Sequence, residues 1–74
     1  MPEEDRSEVA ALFDKMAEEL EMSARHCRVA AKHFRDRDVP RGAAHGLAAY
    51  GSMLQAHGIL DSVARRHASR STAD

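Results

Sequence analysis

Arg35-Asp36-Arg37-Asp38-Val39-Pro40-Arg41-Gly42 interrupts a chain that otherwise reads as helix from end to end. Proline lacks an N–H and its ring clashes with the preceding turn, so Pro40 cannot continue a helix, while its fixed φ suits the first turn of a new one. Asp38 supplies the short carboxylate that accepts amide hydrogens at a helix start. One helix therefore ends and another begins here, with the turn at 36–39.

Working back from the turn, apolar or small residues recur at Val9, Phe13, Met16, Leu20, Ser23, Cys27, Ala30 and Phe34. That alternating four-three spacing marks one face of a helix over about 5–36, broken in pattern only at Ser23, where a bend is an open alternative. Asp5 and Glu8 resemble a capping pair, and acids crowd the first turns where the helix dipole favours them. Working forward, Gly46, Ala49, Met53, Ala56, Leu60, Val63 and His67 give the complementary three-four spacing of a helix over about 39–67, followed by a polar tail at 68–74. No alternating strand pattern occurs. The fold class is all-α, an antiparallel helical hairpin in a single domain.

The charge distribution agrees with the fold-back. Residues 1 to 21 carry eight acids against two bases, and residues 22 to 74 carry nine bases against four acids. Folding at the turn sets the acidic start beside Arg65, Arg66 and Arg70. It also sets Met16 near Leu60, Leu20 near Ala56 and Cys27 near Ala49. Gly42, Gly46, Gly51 and Gly58 each cost the second helix about 1 kcal/mol relative to alanine, and close approach of a neighbouring helix is the simplest compensation.

A chain of 74 residues buries only about 60% of the surface that its unfolded form exposes, so partners or staples are expected. Cys27 is the only cysteine, so no disulfide staples the chain, and its place in the spacing makes it a small buried side chain. No run of about 18 apolar residues is present and the N-terminal stretch is acidic, so a cytoplasmic protein without a membrane segment is expected. The apolar arc of the second helix, from Val63 through Leu60, Met53 and Tyr50 to Leu54 and Leu47, covers about 200°, wider than one partner fills. Met22, His26, Val29 and His33 form a second stripe on the first helix. Together Met22, His26, Val29, His33, Leu47 and Leu54 are the expected self-association surface, through which the hairpin completes a bundle, most simply as a homodimer. A different protein is the other occupant that such a surface could take.

Five histidines and a cysteine raise the question of metal, since imidazole and thiolate are common zinc ligands. His26 and His33 are seven apart, and no two histidines stand at the i, i+4 spacing of a helical chelate, so no metal or other cofactor is expected. His26 precedes Cys27 directly, and adjacent helical residues do not face one another, so no catalytic cysteine and no enzymatic activity are expected. Arg25, Arg28, Lys32 and Arg35 form a basic stripe that Arg41 continues past the turn. It offers an anion-binding alternative, engaging phosphates of nucleic acid or nucleotide, though without interleaved aromatics for base stacking.

The segment from Ala30 to Gly42 resembles the turn of a tetratricopeptide-type hairpin, in which a small residue, an aromatic, an aspartate and small residues of the second helix recur. Ala30, Phe34, Asp38, Gly42 and Ala49 occupy those places, while His26 and Gly46 stand where that family has large aromatics. A single hairpin implies no repeat array and no peptide groove unless other chains supply one. The stretch from Ala24 to Leu60, with Ala49-Tyr50 and Leu60-Asp61, also resembles small archaeal helical proteins of unknown function. That resemblance implies a leading helix joined to such a hairpin and carries no activity with it. The function expected is thus a self-associating interaction or scaffold module, with the nucleic-acid or phosphate binder as the alternative.

Overall fold

The computed structural model describes residues 2–70, which form two helices, α1 (Glu3–Arg35) and α2 (Val39–Arg70), folded against each other as an antiparallel hairpin. No strand occurs among the described residues. The unit is a rod of 56 × 22 × 13 Å.

α1 starts two residues earlier than the spacing suggests, with Pro2 as its N-cap and Glu3, Glu4 and Asp5 in its first turn. Asp5 and Glu8 are therefore already inside the helix, and no side chain caps it. Their carboxylates reach across the hairpin instead: Glu8 pairs with Arg66 at 2.7 Å and Asp5 with Arg70 at 2.5 Å. Arg65, expected to join them, pairs with Asp61 one turn back on its own helix. These cross-links carry α2 to Arg70, so residues 68–70 of the expected tail are helical, and residues 71–74 lie outside the described part.

α1 runs without a break through Ser23, as one helix rather than two. Its C-terminus closes with Arg37 in the left-handed region at φ 64°. The Asp38 N–H donates to the His33 carbonyl at 2.7 Å and the Arg37 N–H to the Phe34 carbonyl at 3.1 Å. This paired closure satisfies carbonyls that the helix end would orphan. Asp38 then caps α2, its Oδ1 accepting the Arg41 N–H at 3.3 Å and its carbonyl accepting the Gly42 N–H at 3.0 Å.

The seam differs from the apolar spacing by one residue at every second position. In α1 the inward residues are Val9, Leu12, Met16, Glu19, Ser23, His26, Ala30 and His33; in α2 they are Gly42, His45, Ala49, Ser52, Ala56, Ile59, Val63 and Arg66. Val9, Met16, Ser23 and Ala30 of the expected α1 row and Ala49, Ala56 and Val63 of the α2 row are retained, and Phe13, Leu20, Cys27 and Phe34, with Met53 and Leu60, are exposed. The reason is size. Small side chains let the two backbones approach closely, and the fully packed positions are Ser23, Ala30, Gly42, Ala49, Ser52 and Ala56. Ser23, not Cys27, meets Ala49: its hydroxyl donates to the Ala49 carbonyl at 3.0 Å. Cys27 is exposed rather than buried.

Of the four glycines, only Gly42 has a neighbour where a Cβ would stand, the Phe34 ring at 2.6 Å. Gly46, Gly51 and Gly58 face open space, so no helix of the same chain compensates them.

Candidate functional site

Two arrangements in the hairpin have chemistry to offer, an apolar face and a histidine cluster. The face follows from the seam. In an antiparallel pair, residues one step beyond the seam on each helix lie on the same side, so Phe13, Leu20, Cys27 and Phe34 of α1 share a side with Gly46, Met53 and Leu60 of α2. Phe13, Leu20 and Phe34 are each about half exposed, as are Met53 and Leu60. At the open end of the hairpin this side continues into a groove of about 540 Å³ lined by Val9, Leu60, Val63 and Ala64, with Arg66, His67 and Arg70 at its edge.

The residues first expected to form the association surface are dispersed by the fold. Met22 and Val29 are exposed on the opposite side of the hairpin, beside the polar margin of α2 that holds Gln55 and Ser62. Leu47 and Leu54 are exposed on the back of α2, away from α1. His26 and His33 belong to the seam and are half-buried against His45.

His26 and His45 approach with Nδ1 to Nδ1 at 3.0 Å, one ring donating to the other. His33, one heptad further along α1, stacks on His45 with centroids 5.5 Å apart and planes at 21°. Three imidazoles from two helices therefore occupy one stretch of seam near the turn. Sequence spacing missed this cluster because its key pair is split between helices, and only the register joins them. No group of three potential metal ligands converges among the described residues.

Arg25, Arg28, Lys32 and Arg35 are exposed, and none makes an ion pair among the described residues. Arg41 differs, its Nε lying 3.6 Å from Asp38 Oδ2. No hydrogen bond engages the Cys27 thiol among the described residues, and the adjacent His26 ring is directed at α2. No described helix is long and apolar enough to cross a membrane.

No protein-family model matches the chain, and neither a curated protein nor a solved structure matches it.

Proposed function

We propose that the chain is a non-enzymatic scaffold module whose hairpins self-associate, most simply as a twofold dimer forming a four-helix bundle. The observation that carries this reading is the composition of the core. The buried apolar side chains are alanines, Ala30, Ala49 and Ala56, whereas the phenylalanines and most leucines are exposed. Burying a Leu or Phe side chain contributes about 1.5–3 kcal/mol, so the hairpin alone leaves its largest hydrophobic resource unused.

Area supports a second copy as the occupant. The hairpin exposes 5677 Å², whereas a compact monomer of its mass exposes about 4,500 Å². The excess exceeds the roughly 800 Å² that each partner contributes to a standard stable interface. A twofold contact through the Phe13, Leu20, Phe34, Met53 and Leu60 face would also set Gly46, with open space above it, beneath the partner helix.

Sedimentation equilibrium tests the proposal. The wild type should have the mass of a dimer at tens of micromolar. Leu20→Glu, at the middle of the face, should shift the mass toward monomer, and Met22→Glu, on the other side, should leave it unchanged. A wild type that stays monomeric over that range would overturn the reading.

A second reading rests on the exposed basic row at Arg25, Arg28, Lys32 and Arg35, which makes no ion pair among the described residues and suits phosphate contact. It requires salt-dependent binding to an oligonucleotide that Arg28→Glu with Lys32→Glu abolishes. No binding at low salt removes it.

A further inference from the structure

We infer that His26 and His45 form a two-imidazole site for a divalent late first-row transition ion, of the nickel or copper type, linking α1 to α2. The site lies within the seam of one chain. It does not depend on self-association, and its failure would leave that proposal standing.

The argument begins with the separation of the two nitrogens. Metal–imidazole bonds are about 2.0–2.1 Å, so two nitrogens 3.0 Å apart subtend an angle of about 95° at a shared ion. That is close to the right angle between neighbouring ligands of square-planar or octahedral sites, and well short of the tetrahedral angle that zinc adopts in structural sites. The two nitrogens already stand at the spacing of neighbouring ligands, but their lone pairs point at each other along the hydrogen bond, so the ion sits off that line, each ring turns by about 40° to reach it, and the shared proton moves to the far nitrogen of its ring.

His33 contributes no third nitrogen to this pair, but its stack on His45 fixes the plane of that ring. It is a positioning residue. With no third potential ligand converging among the described residues, water completes the coordination. Both ligands are half-buried, and each is carried on a continuous helix. His57 is exposed on α2 and approaches neither ring of the pair.

Metal-free protein titrated with NiCl2, followed by calorimetry and by thermal unfolding, tests the site. One Ni²⁺ should bind per chain, and because the unfolded chain does not hold the two rings together, a hundredfold excess over Kd should raise Tm by roughly 10–20 °C. His26→Gln and His45→Gln preserve size and polarity without the imidazole. Each should weaken binding at least tenfold and remove the rise in Tm, His33→Gln should weaken it less, and His57→Gln should leave both intact. A measurement on the wild type alone covers the case in which a seam variant fails to fold. Substoichiometric Cu²⁺ should broaden the imidazole proton resonances of His26 and His45 first and spare those of His57. Absence of saturable binding up to 1 mM Ni²⁺, undiminished binding by folded His45→Gln, or uniform broadening of all histidines would overturn the inference.

Discussion

Arg37 holds the left-handed conformation that lets α1 close and the chain reverse. For a residue with a Cβ that conformation costs about 1 kcal/mol, and the usual occupant of the position is glycine. The Arg37 side chain makes no ion pair among the described residues to offset the cost. Arg37→Gly is therefore expected to stabilise the protein by about 0.5–1 kcal/mol, measured as an increase in the urea midpoint with an unchanged slope. Ser23 shows the same tie between residue and backbone in a different way. It interrupts the apolar row because its hydroxyl is committed to a carbonyl of the opposite helix.

At the scale of the helices, Gly51 and Gly58 have no neighbour where a side chain would stand, so each loses helix propensity without a packing gain. Gly51→Ala and Gly58→Ala should each stabilise by up to about 1 kcal/mol in thermal unfolding, and additively if the sites are independent. Gly42→Ala should gain less or destabilise, because the Phe34 ring occupies the space at 2.6 Å and must move. Gly46→Ala separates the isolated hairpin from the assembly: it should stabilise a monomer, and weaken a dimer that packs a helix over this position.

The two helices, the turn and their antiparallel direction were legible in the sequence because proline, capping aspartate and apolar period act locally. Which stripe forms the seam was not. Val9, Met16, Ser23 and Ala30 serve both candidate rows, and hydrophobicity alone favours Phe13, Leu20 and Phe34 over Leu12, Glu19, His26 and His33 as their companions. The chain adopts the second set, in which Ser23 meets Ala49 and His26 meets His45, and that register is a property of the pair rather than of either helix. The same choice moved Cys27 to the surface and brought His26 to His45. The basic row was legible, because charges on an outer helix face need no partner to be placed.

For the molecule as a whole, a rod with a radius of gyration of 17.0 Å is well beyond the roughly 11 Å of a compact chain of this length. Its core of small side chains gives little burial, so folding and association should be coupled. Tm should then rise with protein concentration, a tenfold increase adding several degrees, and Leu20→Glu should both lower Tm and remove that dependence. The ion pairs Glu8–Arg66 and Asp5–Arg70 have exposed or partly exposed members and contribute about 0–1 kcal/mol each, so high salt should lower Tm only slightly.

The short connection at 36–38 also has a topological consequence. Were Arg37 to adopt helical angles, α1 and α2 would become one continuous rod, and two such rods side by side could rebuild the same seam by exchanging α2, with His26 of one chain against His45 of the other. Pro40 opposes this domain-swapped form. In an uninterrupted helix its missing N–H and its ring would cost about 3 kcal/mol, whereas in the first turn of α2 they cost almost nothing. The proline thus guards against a conformation the protein does not adopt, and keeps each seam, with its paired imidazoles, within a single chain.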